Sequence, residues 1–159
     1  MTNAAESPIR VYADTSVYGG VFDDIFAQPS RSFFDCVREG RFQLVVSVLV
    51  EDELAPAPQK VRDLFAQIRV AADTVAITSE ALALRQAYLS AAILSPKYID
   101  DALHVALATI ARCAMIVSWN FRHIVHYQKV PLYNAVNVLR RFRAIEILSP
   151  LEVIERDES

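Results

Sequence analysis

Acidic side chains follow apolar segments at several separate places in this chain. Asp14 ends a short apolar segment, residues 51–53 read Glu-Asp-Glu, Asp100 and Asp101 open a helical pattern, and Asn120 follows a later apolar run. If those runs are parallel strands, their carboxyl ends share one edge of a sheet, so these groups converge there. Clustered carboxylates repel one another and raise one another's pKa. A hard divalent cation such as Mg²⁺ or Mn²⁺, held by carboxylate oxygens and water, relieves that repulsion.

The elements that must position these groups alternate along the chain. Strands are predicted at 9–13, 42–47, 74–77, 114–118 and 145–148, where apolar and often β-branched residues cluster. Helices are predicted at 31–39, 48–54, 59–69, 79–92, 98–112 and 134–143. Such alternation favours an α/β fold with a mainly parallel sheet. We find no internal linker and predict one domain over residues 1–159.

Composition excludes several classes of protein. The chain of 159 residues has only three glycines, too few for the glycine-rich phosphate loops of dinucleotide-binding enzymes or P-loop NTPases. Its two cysteines, Cys36 and Cys113, cannot build a disulfide framework or a zinc ribbon, and both lie in apolar surroundings. No apolar run is long enough to span a membrane, and residues 1–10 lack the apolar core of a signal peptide. We therefore expect a cytoplasmic protein with two buried thiols and no membrane partner.

The distribution of charge leaves two interpretations open. The formal net charge is −3, yet residues 97–143 carry seven basic side chains against two acidic ones, together with all three histidines. One interpretation is a basic surface for a polyanion beside an acidic pocket. The other is a solvated surface on which charges happen to be uneven. Composition does not decide between them.

Three short motifs, in order along the chain, resemble those of the PIN domain family. They are Asp14-Thr15-Ser16 after the first strand, Asp-Ala-Leu-His-Val-Ala at 101–106, and Val-Ser-Trp-Asn at 117–120. The resemblance extends over about residues 9–150. It implies a three-layer α/β/α fold and a ribonuclease that depends on Mg²⁺ or Mn²⁺. At this size it also implies a VapC-type toxin of a toxin–antitoxin pair.

Position by position, the resemblance assigns the principal acids. Asp14, Glu53 and Asp101 match the catalytic and metal-binding acids of the family. Glu53 is preferred to Glu51 because it precedes Leu54 at the family's spacing from the end of the second strand. Asp101 is likewise preferred to its neighbour, Asp100.

A second group of residues is expected to support the acids or the substrate. Its members are Thr15, Ser16, Asp100, His104, Asn120 and His123. Of these, Thr15, Ser16 and Asn120 would orient water or phosphate, and His123 would face phosphate. Many family members have aspartate where this chain has Asn120. Because an amide offers one neutral oxygen, we expect a site for one ion.

The expected partners are an RNA substrate, a cognate antitoxin and a second copy of the chain. The antitoxin would cover the acidic pocket with an arginine or a lysine. The homodimer is expected because Phe22, Phe26, Phe33 and Phe34 crowd one segment. One alternative is a catalytically silent PIN-like module that binds RNA or protein. A further alternative is a phosphatase with Asp14 as nucleophile, which Ser16 disfavours because such enzymes place a second acid there.

Overall fold

The computed structural model describes residues 7–158, so both ends of the predicted domain, residues 1–6 and 159, lie outside the description. The strands are β1 (Ile9–Ala13), β2 (Phe42–Ser47), β3 (Asp73–Val75), β4 (Met115–Val117) and β5 (Glu146–Leu148). The helices are α1 (Thr15–Gly20), α2 (Ala27–Arg38), α3 (Val48–Leu54), α4 (Gln59–Ile68), α5 (Ser79–Ser90), α6 (Ile99–Ile110), α7 (Val130–Leu139) and α8 (Pro150–Glu158).

The five strands form one sheet in the order β3-β2-β1-β4-β5. All four neighbouring pairs are parallel, and the register aligns Val11 of β1 with Leu44 of β2 and with Met115 of β4. Helices α1, α2, α4 and α8 pack together, whereas α5 contacts α6 and α7. The predicted α/β/α class with a parallel sheet is therefore confirmed. The strand order reverses between β1 and β4, and in open parallel sheets ligands bind beyond the carboxyl ends of the strands at this reversal.

Helix α6 packs its central residues into the hydrophobic core. Every residue of α6 from Ala102 to Thr109 is buried, including the polar His104. The central strands β1 and β2 are buried on both faces over residues 11–13 and 44–47. A strand covered on both faces needs a continuous apolar run rather than an alternating one. Packing of α6 in the core thus determines where its amino end lies at the edge of the sheet.

Several helices end with one residue in the left-handed conformation. Gly40, Ala92, Arg112 and Arg141 have φ values of 78°, 58°, 60° and 68°. In each case the amides of this residue and of the next one donate to carbonyls of the last turn, as with Arg112 N–H to Thr109 O and Cys113 N–H to Ala108 O. Glycine is the usual residue at such a position because it carries no Cβ penalty. Here it occupies only one of the four.

The largest differences from the predicted elements concern four helices, whereas β3, β4, β5, α4, α5 and α6 differ from prediction by one or two residues at an end. Helix α1 was not predicted, since Asp-Thr-Ser also suits a turn, but Asp14 caps it by accepting from the Ser16 amide. Helix α2 begins at Ala27 rather than at residue 31. Helix α7 spans Val130–Leu139 rather than 134–143, because Pro131 suits a helix start and the left-handed Arg141 ends the helix. Helix α8 was also missed.

Both cysteines are buried, as expected from their apolar surroundings, and within residues 7–158 neither forms a disulfide. Within residues 7–158, no helix combines the length and apolarity needed to cross a membrane.

Gly20 is the glycine whose missing side chain matters most to the packing beside β4. An added Cβ would lie 2.7 Å from Ser30 Oγ and 2.8 Å from Trp119 Nε1, whereas one at Gly19 would meet nothing within 4 Å. We expect Gly20→Ala to lower the free energy of unfolding by about 1–3 kcal/mol, the usual cost of overpacking. Gly19→Ala is the matched control and should be neutral or stabilising. Urea unfolding of both variants is the measurement, and equal midpoints would contradict the packing described here.

Candidate active site

Asp14 lies at the end of β1 with only 4% of its surface exposed. Its Oδ1 accepts from Ser16 Oγ at 2.5 Å, and its Oδ2 accepts from Ser118 Oγ at 2.7 Å. Ser118 follows β4, so this second bond joins the two strands at the point where the sheet order reverses. Both oxygens of the buried carboxylate are therefore held by hydroxyl groups before any ligand arrives.

Glu53, on α3, forms a pair with His104 of α6. Glu53 Oε1 lies 2.5 Å from His104 Nε2 and also accepts from Thr15 Oγ1 at 2.7 Å. The imidazole is only 2% exposed, whereas the glutamate is partly open to solvent. A buried charged pair needs additional hydrogen bonds to offset its desolvation, and Thr15 supplies one.

The second ring nitrogen of His104 takes part in a buried series of hydrogen bonds. Its Nδ1 lies 2.7 Å from Tyr12 OH, which in turn lies 2.8 Å from Ser47 Oγ. Ser47 also caps α3 by accepting from the Val50 amide at 3.3 Å. Because α3 carries Glu53, these hydrogen bonds form a closed circuit that connects β1, β2, α3 and α6. Burial raises the pKa of Tyr12 well above its usual range, so its phenol stays protonated.

Asn120 connects the loop after β4 to Asp101. Its Oδ1 accepts from the His123 amide at 3.0 Å, and its side chain lies near enough to Asp101 to act against the rise in the pKa of that carboxyl. Its backbone N–H donates to Ser118 Oγ, the hydroxyl that holds Asp14. Asn120 thus connects the loop after β4 with both aspartates.

His104 lies in the electrostatic field of all three predicted acids. Burial opposes its charged form, but the bond with Glu53 and the charges of Asp14, Glu53 and Asp101 raise its pKa above the usual value. For Glu53, burial is outweighed by His104 and Thr15, and the pKa is lowered. An imidazolium among carboxylates supplies part of the positive charge that the acids require.

The other two acids are shifted in the opposite direction. Burial raises the pKa of Asp14, although His104, Ser16 and Ser118 partly offset it. Burial also raises the pKa of Asp101, against the effect of the Asn120 bond and the two histidines. Both acids therefore carry an unfavourable charge in the absence of a cation.

The donor set is that of a site for a hard divalent cation, since Asp14, Glu53 and Asp101 offer carboxylate oxygens. Within residues 7–158, however, no three histidine, cysteine, aspartate or glutamate side chains are grouped closely enough to hold one ion together. In this structure Asp14 is hydrogen-bonded to two serines and Glu53 to His104. Mg²⁺ commonly takes one or two carboxylates and several waters, so the carboxylates of Asp14 and Asp101 would satisfy its needs in ligand type and number.

Two predicted site residues lie at the margin of the cluster or away from it. His123 stacks on Tyr98, with ring centroids 3.7 Å apart. Burial lowers its pKa, with Lys129, Arg122 and His126 adding to the effect and Asp101 opposing it. Asp100 is exposed, and no contact described for residues 7–158 joins it to the other acids.

Comparison with known proteins supports the fold. No family model matches the chain, and no curated protein matches it. A chain in the crystal structure of VapBC2 from Rickettsia felis, bound to a DNA fragment from their promoter, matches with a TM-score of 0.58. The match covers 89% of this chain and 98% of that chain, at 9% sequence identity. The fold is PIN-like. At so low an identity, the structural similarity supports the arrangement of strands and helices but not the chemistry of the site.

Three residues of this PIN-like edge were not singled out as site residues from the sequence. Tyr12 was counted as an apolar strand residue, Ser47 served only as a spacing landmark, and Ser118 only ended a strand. Each makes a hydrogen bond to a residue at least 35 positions away in the chain. The available signal was a hydroxyl inside or just after an otherwise apolar buried strand.

The electrostatics of the cluster predict how stability of the metal-free protein depends on pH. Because the folded-state pKa of His104 is raised above 6.5, its stabilising charge is complete below that pH and is lost as pH rises through the folded-state value. We therefore expect urea midpoints to fall as the pH rises above 6.5 and through the folded-state pKa of His104. His104→Gln should reduce this dependence.

Asp14→Asn tests the same electrostatics from the side of the acid. Because burial raises the pKa of Asp14, its ionisation disfavours the folded state at pH values above 3.8. The neutral variant should unfold at a higher urea concentration than the parent at neutral pH. Asp52→Asn, an exposed acid on α3, is the control and should leave the midpoint unchanged. A lower midpoint for Asp14→Asn would contradict the conclusion that burial of the Asp14 charge disfavours the folded state.

Proposed function

We propose that this protein is a divalent-metal-dependent ribonuclease that hydrolyses RNA phosphodiester bonds as the toxin of a toxin–antitoxin pair. The observation that carries the proposal is the hydrogen-bonded group at the carboxyl edge of a PIN-like sheet, in which Ser118 bonds Asp14 and His104 bonds Glu53. The helix that carries His104 has Asp101 in its first turn. The structural similarity to a chain of a VapBC2 complex agrees with this assignment at the level of fold.

In this proposal Asp14 and Asp101 hold one Mg²⁺ or Mn²⁺ ion, and Glu53 acts as a direct ligand or through a bound water. When bound, the ion polarises the scissile phosphate and lowers the pKa of the attacking water. The chain's own groups prepare the acids for this task. Ser16 and Ser118 fix Asp14, Asn120 fixes Asp101, and Thr15 and His104 fix Glu53.

The substrate side of the edge carries positive charge. Lys129, Arg122 and His126 help to lower the pKa of His123 and Asp101 opposes them, so these charged groups lie within electrostatic range of His123. A phosphodiester backbone is attracted to such a group, and contact with phosphate favours the protonated form of His123. RNA would thus reach the acids along this basic side.

RNA cleavage by active-site variants tests the enzymatic proposal. Asp14→Asn and Asp101→Asn should each lower the cleavage rate by more than about 100-fold, the upper cost of losing an outer-shell contact to a metal. Asp52→Asn, which removes an exposed acid on α3, should cleave at the parent rate. Rates are measured on one single-stranded RNA across a Mn²⁺ series. Cleavage retained in Asp101→Asn would refute the assignment.

The main alternative is a silent PIN-like module that binds RNA or protein. It is favoured by Asn120 in the position of a common acid, and by the hydrogen bonds that already occupy Asp14 and Glu53. Such a module would bind the same RNA with no cleavage at any Mn²⁺ concentration. The titration therefore separates the two functions.

We also propose an antitoxin partner and a homodimer. The VapBC2 complex is the precedent for a protein partner, and an arginine or lysine of that partner would pair with the acidic edge. The phenylalanines behind the dimer prediction do not form one exposed face, because Phe33 and Phe34 are fully buried. The better candidate is α7, where Leu132 and Leu139, on one side of the helix, are 48% and 82% exposed.

Light scattering tests the homodimer. Leu132→Glu/Leu139→Glu should convert a dimer into a monomer without loss of folding, since both side chains are exposed. Val70→Glu, at a side chain that is 85% exposed elsewhere on the surface, is the control and should stay dimeric. A parent protein that remains monomeric at high concentration would exclude this homodimer.

A further inference from the structure

A cleft of about 970 Å³ lies at the sheet edge opposite the acids. Its wall includes Arg10 at the start of β1, Ala114 just before β4 and Ile145 just before β5. Because all strands are parallel, these are their amino ends, whereas Asp14 follows the carboxyl end of β1. The cleft is therefore separate from the candidate active site.

The cleft is rich in arginine. Arg10, Arg112, Arg141 and Arg143 line it, against two acids, Glu80 and Glu146. Arg10 is anchored by Ala111 O at 3.2 Å and by Asp73 at 2.6 Å, and Glu146 pairs with Arg156.

The other three arginines of the cleft are exposed. Within residues 7–158, the guanidinium groups of Arg112, Arg141 and Arg143 make no hydrogen bond or ion pair. A chain of net charge −3 thus concentrates unpaired positive charge in one concave place. Guanidinium groups without protein acceptors are available to a ligand.

The backbone at this edge is unusual for arginine. Arg112 and Arg141 have φ values of 60° and 68°, a conformation that costs most residues about 1–2 kcal/mol. The same helix ending is made with Gly40 after α2 and with Ala92 after α5. Terminating a helix therefore does not require arginine, yet arginine occupies this position at both of the helix ends that border the cleft.

We infer that this cleft binds phosphate groups. Arginine's planar fork matches the oxygens of phosphate with two parallel hydrogen bonds, and several forks around one cleft suit a ligand with more than one phosphate. The clustered positive charges of these arginines repel metal cations, so the cleft is not a metal site. A nucleophilic role for the cleft's thiol is also excluded, since burial raises the pKa of Cys113 to about 12. The phosphates belong to a free polyphosphate or nucleotide, or to a nucleic-acid strand.

Calorimetric titration with two probes separates these sources. One probe is pyrophosphate, and the other is a short single-stranded DNA, both titrated into the full chain without divalent metal. Arg112→Gly and Arg141→Gly should each weaken binding by at least about tenfold, as expected for a lost charge-assisted hydrogen bond. Both variants should be at least as thermally stable as the parent, because glycine suits the left-handed position. Loss of binding then cannot come from unfolding.

Two variants control for backbone and for charge. Ala92→Gly makes the same backbone change without loss of charge and should bind like the parent. Arg38→Gln removes one positive charge from an exposed site on α2 and should also bind like the parent. Asp14→Asn should retain binding, which keeps this site independent of the proposed ribonuclease.

Binding of pyrophosphate that the glycine variants lose indicates a free phosphate ligand, and binding of the DNA alone indicates a strand. The inference is overturned if neither probe binds, if the glycine variants bind as well as the parent, or if polyglutamate binds as tightly as the phosphates.

Discussion

The contact between Glu53 and His104 is the interaction on which the candidate site depends. Three carboxylates are predicted for one edge, and at least Asp14 is fully desolvated there. Their repulsion needs a positive charge nearby, and the imidazole of His104 provides it from within the fold. The second nitrogen of the same ring hydrogen-bonds Tyr12, so His104 connects β1 and α6 to the helix that carries Glu53. Without this pair the acids would oppose folding until a cation arrived.

The parallel sheet gives its two edges opposite electrostatic character. At the carboxyl edge, α1 and α6 begin, and their amino ends favour the negative charges of Asp14 and Asp101. At the amino edge, α6 and α7 end, and Arg112 and Arg141 follow them. The net charge of −3 conceals this separation. The basic stretch 97–143 contributes Arg112, Arg141 and Arg143 to one cleft, which lies at the amino edge and not beside the acids.

Prediction from sequence succeeded where a local signal was strong. The bounds of β1, β2 and α3 agree with the structure to the residue, because apolar runs end there at Asp14, Ser47 and a proline-rich break. It failed for α8, although Ser149 and Glu152 form a reciprocal cap that the sequence displays as Ser-x-x-Glu. For α7 the apolar pattern outweighed Pro131, and the predicted helix was placed four residues too late.

The sequence by itself determined which chemical groups reach which edge. Strand direction and helix order suffice for that, because a parallel sheet sends every strand's carboxyl end to one side. Only the tertiary structure decided how those groups are used. It buries His104 and leaves Asp100 exposed, since packing against the sheet fixes the rotation of α6. It also turns Asn120 toward Asp101 and joins Tyr12 to His104 across 92 positions of chain. Contacts of that range depend on the orientation of whole elements, which no local pattern of residues encodes.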